Sequence, residues 1–96
     1  MGEFQIIQER KAEILAIARA HGLVNVRVFG SVARGEDTAD SDLDLLVDLE
    51  KGCSLLDLGG AAITLQGLLG RKVDIVTERS LHWYLRDKIL HEARPL

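Results

Sequence analysis

The stretch Val24-Asn25-Val26-Arg27-Val28-Phe29-Gly30-Ser31-Val32-Ala33-Arg34-Gly35, followed after a polar run by Asp42-Leu43-Asp44-Leu45-Leu46-Val47-Asp48-Leu49, decides how this chain is read. Val24, Val26 and Val28 alternate through the first part, the period of a strand with one buried face. Leu43, Leu45, Val47 and Leu49 do the same, so Asp42 to Leu49 reads as a second strand. Between them, Gly30 to Gly35 reads as a turn with room for one helical turn, and Glu36 to Ser41 as polar loop. Residues two apart on a strand point to the same face, which sets Asp42 and Asp44 side by side, roughly 6.5–7 Å apart at the backbone. Gly30 permits close backbone approach. Ser31, opening a short helix, offers a hydroxyl and backbone N–H groups to an anion such as phosphate. Taken singly, each signal is bland: Asp-x-Asp arises in any acidic strand, and Gly-Ser is most often just a turn.

Outward from this centre the chain alternates helix and strand. Glu3 to Ala20 reads as one helix, with Phe4, Ile7, Ile14, Leu15 and Ala18 on a common face and Gly22 as its stop. Ser54 with Asp57 three residues on resembles a capping box. The helix behind it aligns Leu55, Leu58, Ala62, Leu65 and Leu69, is weakened at Gly59-Gly60, and ends at Gly70. Arg71 to Thr77 is a third strand, with Val73 and Ile75 opposite Asp74. Ser80 is expected to cap a last helix running to about Ala93, stopped near Pro95. The order predicts an α/β fold: a small mixed sheet of about three strands with flanking helices, in one domain over residues 1–96.

Composition narrows the function classes. The 96 residues are 47% hydrophobic and 28% charged, as in an ordinary globular domain rather than a disordered chain. No apolar run approaches the ~18 residues of a membrane span, and the start lacks a basic-then-apolar signal pattern; both point to a cytoplasmic location without membrane partners. Cys53 is the single cysteine, which excludes an internal disulfide and a multi-cysteine zinc site. The net charge is −3, but seven acids (Glu36, Asp37, Asp40, Asp42, Asp44, Asp48, Glu50) lie between Gly35 and Glu50 without a base. A carboxylate-rich face repels bare phosphate, so direct nucleic-acid binding is not expected. Such a run is either a solvated acidic loop or a site for a divalent cation, and spacing decides between them.

Gly30-Ser31, a ten-residue gap and Asp42-x-Asp44 together resemble the signature of the DNA polymerase β-like nucleotidyltransferase superfamily, and the element order is compatible with its palm. Asp74, in Lys72-Val73-Asp74-Ile75-Val76, stands where that superfamily carries its third acidic residue. Ser31-Val32-Ala33-Arg34-Gly35, Asp42-Leu43-Asp44-Leu45-Leu46-Val47 and the ending Leu90-His91-Glu92-Ala93 are similar to the stand-alone minimal nucleotidyltransferases within it. The resemblance covers nearly the entire chain. It implies the antitoxin half of a type VII toxin–antitoxin pair, which moves AMP from ATP onto a tyrosine of a helical HEPN-domain ribonuclease toxin. It further implies that Asp42 and Asp44 ligate two Mg²⁺ ions, and that Asp74 ligates one and accepts the attacker's proton. Gly30 and Ser31 would hold the β- and γ-phosphates. Arg34 is either a phosphate clamp or a solvated loop arginine. Two other functions stay open: an antitoxin that masks its toxin without chemistry, and a transferase acting on a small molecule.

The remaining candidates have plainer readings. His21 and His91 sit near helix ends, and His82 on a helix's solvent edge. Trp83 and Tyr84 read as core or interface anchors. Cys53 lacks a neighbouring base and reads as structural. Glu36, Asp37, Asp40 and Asp48 read as loop or strand-edge charges, and Asp57 as a cap. The last helix carries Leu81, Trp83, Tyr84, Leu85, Ile89 and Leu90, more apolar positions than one buried stripe needs, and is expected to meet a partner that supplies the acceptor.

Overall fold

Apolar periodicity at the start of the chain builds two helices rather than one. The computed structural model describes residues 3–36, 38 and 40–96. Asp37, expected as a loop charge, lies outside the described residues. Helices α1 (Glu3–Glu9) and α2 (Lys11–Ala20) are separated at Arg10, which leaves the helical conformation. The Arg10 guanidinium donates to the Leu68 carbonyl at 3.0 Å and pairs with Glu13 at 3.2 Å. That tie fixes the corner where α1 turns away, a tertiary cause invisible to the local pattern.

Strand β1 (Leu23–Phe29) leads through helix α3 (Gly30–Arg34) to strand β2 (Leu43–Leu49). Helix α4 (Leu55–Leu69) crosses to strand β3 (Val73–Val76). A 3-10 turn at Glu78–Ser80 precedes helix α5 (Trp83–Glu92) and the short strand β4 (Arg94–Pro95). Among the described residues the strands form one mixed sheet in the order β3-β2-β1-β4. β2 runs antiparallel to β1 and parallel to β3, and α4 is the crossover that a parallel pair requires. The expected count of about three strands becomes four because Arg94 and Pro95 pair with Val28 and Arg27 at the edge, a place where proline is tolerated.

The core lies between one face of this sheet and the helices. Ile7, Ile14 and Ala18 from α1 and α2 pack with Leu58, Ala61 and Leu65 of α4 over Val28, Leu43, Leu45, Val47 and Val73. Burial on α4 is shifted from the expected stripe: Ala61 is fully buried, Ala62 half-buried, and Leu55 is 69% exposed. Its ends behave as the sequence suggests. Asp57 accepts from the Ser54 amide at 2.7 Å, Ser54 Oγ accepts from the Leu56 amide at 3.3 Å, and Gly70 caps the other end at φ +67°.

Two expectations fail for local reasons. Val24 is exposed and Leu23 takes its place in the core, because Asn25 adopts φ +52° and the β1–β2 register shifts between Val24 and Arg27. One extra residue in a strand reverses the phase of everything before it. Ser80 does not cap α5. Its hydroxyl accepts from the Thr77 amide at 3.2 Å and donates to the Thr77 carbonyl at 2.8 Å, closing the 3-10 turn. α5 instead begins at Trp83 behind His82, which makes no side-chain cap bond. Among the described residues no helix is long and apolar enough to cross a membrane.

Candidate active site

Strand alternation sends Leu43, Leu45 and Val73 into the core and turns Asp44 and Asp74 to the opposite face. In the pairing of the sheet Asp44 stands between Phe29 on β1 and Asp74 on β3. The two carboxylates thus project from adjacent strands, about 4.8 Å apart at the backbone. Asp42 lies just before β2 rather than within it, two residues from Asp44 and on the same side by parity. The Leu43 amide donates to the Lys72 carbonyl at 2.9 Å, extending the β2–β3 pairing to this end. Asp42 meets the Lys72 ammonium at 3.7 Å. Gln66 of α4 accepts from the Val73 amide at 3.1 Å and so anchors the start of β3 beneath Asp74.

Gly30 closes the site on the β1 side. It sits at φ +76°, and a Cβ there would collide with Asp44 Oδ2, so glycine is required both by conformation and by space. α3 follows at once and presents Ser31, half-buried, as its second residue.

Electrostatics mark Asp44 out. Its carboxyl is pushed up to about 6, chiefly by burial and then by the charges of Asp74 and Asp42; Arg34 opposes the rise and Glu92 adds a little to it. Arg34 is tied on both sides: Nε donates to Glu36 at 2.9 Å and Nη1 to both Glu92 oxygens at 3.2 Å. Glu36 and then Glu92 hold the guanidinium above its ordinary pKa. Glu92 Oε1 also accepts from the Gly30 amide at 2.9 Å. Among the described residues no three His, Cys, Asp or Glu side chains close into a ready metal cage.

The fold therefore brings Gly30, Asp42, Asp44, Asp74 and Arg34 to one end of β1, β2 and β3, with Ser31 beside them. It adds two residues that motif spacing does not single out. Lys72 joins through its register position opposite Asp42. Glu92 arrives from the last turn of α5, 62 residues from Gly30 in sequence.

Other candidates fall away from the site. Trp83 and Tyr84 are not core anchors, being 85% and 63% exposed, with Tyr84 stacked on His82 and edge-on to Trp83. Burial, with the charges of Asp57 and Glu50, pushes the Cys53 thiol up, away from reactivity. Asp48 is held by Arg27 at 3.1 Å and Asn25 at 2.9 Å.

This chain is similar to known proteins over most of its length. A candidate protein adenylyltransferase of Methanocaldococcus jannaschii, MJ0435, is 44% identical over 91% of this chain and 94% of its own length. Protein adenylyltransferase MntA of Thermococcus cleftensis is 40% identical over 84% and 90%. A solved structure described as a candidate minimal nucleotidyltransferase superposes with a TM-score of 0.85 at 51% identity, covering 100% of this chain and 97% of that one. The crystal structure of a mutant of the toxin–antitoxin MntA-HpeT gives a TM-score of 0.72 at 25% identity, over 90% and 70%. The profile of the nucleotidyltransferase domain matches residues 11–96, from α2 to the last residue of the chain and across every site residue named above, so this chain belongs to the nucleotidyltransferase domain family.

Proposed function

We propose that this chain is the antitoxin of a type VII toxin–antitoxin pair, a single-domain, magnesium-dependent protein adenylyltransferase that moves AMP from ATP to a tyrosine of a helical HEPN-domain ribonuclease. The observation that carries the reading is the gathering of Asp42, Asp44 and Asp74 on one sheet face beside the Gly30 turn. The names of its relatives, and the toxin–antitoxin assembly of a structural neighbour, support the acceptor and partner.

The residues fit a hard divalent cation. Their donors are carboxylate oxygens, and burial followed by the charges of Asp74 and Asp42 leaves Asp44 short of a compensating cation. Magnesium keeps several waters and usually takes one or two carboxylates together with substrate phosphates, so an incomplete protein shell suits it. Asp42, Asp44 and Asp74 would hold it, and when bound it supplies neutralising charge for the phosphoryl oxygens.

The chain's own groups have separable tasks. Gly30 brings backbone close to the β- and γ-phosphates, and the Ser31 hydroxyl donates to them. Arg34 adds a fixed positive charge, held in place by Glu36 and Glu92. Asp74 accepts the proton of the tyrosine hydroxyl as its oxygen bonds to the α-phosphorus. The bond from that phosphorus to the bridging oxygen breaks, and pyrophosphate leaves with the electron pair.

The decisive experiment incubates the chain with ATP, magnesium and the helical partner, then weighs the intact partner. A mass gain of whole AMP units on a tyrosine is the expected result; an unmodified partner that is nonetheless inhibited rejects the chemistry. That second outcome is the masking reading; the exposed Trp83, Tyr84 and Leu85 on α5 offer a docking surface under either reading. AMP on a small molecule instead would reject both.

A further inference from the structure

One carboxylate from the far end of the chain holds both the Gly30 amide and the Arg34 guanidinium. Glu92 Oε1 accepts from Gly30 N at 2.9 Å and from Arg34 Nη1 at 3.2 Å, and Oε2 lies 3.2 Å from the same Nη1. Glu92 is the last residue of α5, and its side chain is only 15% exposed.

Local sequence explains why a distant group is needed. α3 is five residues long and is preceded by Phe29, which has no side-chain oxygen with which to cap it. The first amide of the helix therefore has no local partner. Gly30 is also the most conformationally free residue of the turn, and its observed φ of +76° has to be stabilised by its surroundings. Asp44 presses on one side of it, and Glu92 accepts its N–H on the other. Arg34 is a long, rotamer-rich side chain pinned at Nε by Glu36 and at Nη1 by Glu92, which removes the freedom it would otherwise lose on meeting a ligand.

We propose that Glu92 is a positioning residue for nucleotide: it sets the Gly30–Ser31 turn and aims Arg34, acting through them without touching the triphosphate. This rests on the nucleotide-binding reading above. The competing role for the same carboxylate has the opposite sign. An anion that merely occupies the place of a phosphate weakens nucleotide binding, and removing it tightens binding.

The test measures the dissociation constant for ATP with magnesium in the wild-type chain, Glu92→Gln and Glu92→Ala, alongside hydrogen exchange of the Gly30 amide without nucleotide. Glu92→Ala is expected to weaken ATP by about tenfold or more, and to speed exchange at Gly30. Glu92→Gln keeps an acceptor for Gly30 but no charge for Arg34, so it falls between. Combined with Arg34→Ala, the Glu92→Ala change costs less than it does alone, since part of its effect runs through Arg34. A lower melting temperature in Glu92→Ala with unchanged ATP affinity overturns the proposal, and so does tighter ATP. If Glu92→Ala fails to fold, the near-isosteric Glu92→Gln decides by the same criteria. Wild-type protein that binds no ATP overturns the nucleotide reading and this inference together, whereas normal wild-type binding with an indifferent Glu92→Ala overturns this inference alone.

Discussion

Asp44 and Asp74 face each other in register across the parallel pair β2–β3, and burial, with the charge of Asp74 added to it, pushes the Asp44 carboxyl up to about 6. Asp42 adds a third negative charge from the same side. Folding therefore assembles a cluster that is electrostatically unfavourable by itself. The geometry suits a site that is completed by a cation and a substrate rather than by the protein.

That cost sets a pH dependence. Unfolded, Asp44 loses its proton near 3.8; folded, it holds it to about 6. Between those values the folded state binds more protons, so this group's contribution to stability falls as pH rises through about 4 to 6 and stays lower above. The full shift corresponds to about 3 kcal/mol, but solvent screening at this partly open site reduces it to about 1 kcal/mol. Metal-free Asp44→Asn should then melt about 4–8 °C above wild type at pH 7.5 and level with it at pH 4. Added magnesium should raise the melting temperature of wild type more than that of Asp44→Asn, while the variant loses AMP transfer. Parallel pH profiles for the two proteins would show that burial and the neighbouring carboxylates do not raise Asp44 as described.

Glycines of nearly equal φ separate conformation from space. Gly30 and Gly70 sit at +76° and +67°, yet a Cβ at Gly70 meets nothing within 4 Å whereas one at Gly30 strikes Asp44 Oδ2. Gly70→Ala should cost only the left-handed penalty, about 1–2 kcal/mol. Gly30→Ala should cost that and also displace Asp44, cutting transfer by about 10²-fold or more. Equal transfer rates in the two variants would sever Gly30 from the site.

Much of this was legible in the chain, and each exception has its own physical cause. The alternation through Leu43–Val47, the Ser54–Asp57 cap and the spacing from Gly30 to Asp44 are local signals, and the fold follows them. Asn25 hides a bulge inside an otherwise regular strand pattern, because φ +52° at an asparagine leaves the hydrophobic period looking intact. The break at Arg10 depends on the Leu68 carbonyl, and the capping of Gly30 depends on Glu92; in both, the deciding partner is more than fifty residues away. β4 escapes notice since two residues carry no period. Candidate ligands were readable because the chemistry needs residue types at fixed spacing. Glu92 was legible only as part of the Leu90-His91-Glu92-Ala93 resemblance; its hold on Gly30 and Arg34 was not, because any acidic side chain on α5 looks like a solvated helix charge.

The start of α5 tests the partner. Trp83 and Tyr84 are largely exposed, and their rings are ordered against His82 and each other rather than against the core. Trp83→Ala with Tyr84→Ala should change the chain's own stability by no more than about 0.5 kcal/mol. Exposed aromatics that become buried at an interface are frequent hot spots, so the pair should weaken the complex by at least about 2 kcal/mol, near thirtyfold in Kd. ATP binding should be unaltered. Titration calorimetry against the helical partner reads both effects, and unchanged partner affinity would move the interface elsewhere.

Asp74 separates catalysis from masking. It lies on β3 between Val73, which is buried, and Ile75, which packs on the core, so its carboxylate is turned to the Asp44 face. Asp74→Asn keeps the shape of the side chain while removing a base and one negative charge. Loss of a general base costs on the order of 10²–10⁴ in rate. Asp42 and Asp44 remain for the cation, the Gly30 turn remains for phosphate, and the α5 aromatics lie on another element, so ATP and partner should both still bind. Catalytic neutralisation therefore expects a variant that holds the toxin without modifying it, and a toxin that is active again once released. Masking expects protection to be undiminished. Growth rescue by Asp74→Asn at native expression, with no AMP on the toxin by intact mass, would decide for masking; failed rescue by a variant that still binds the toxin would decide for transfer.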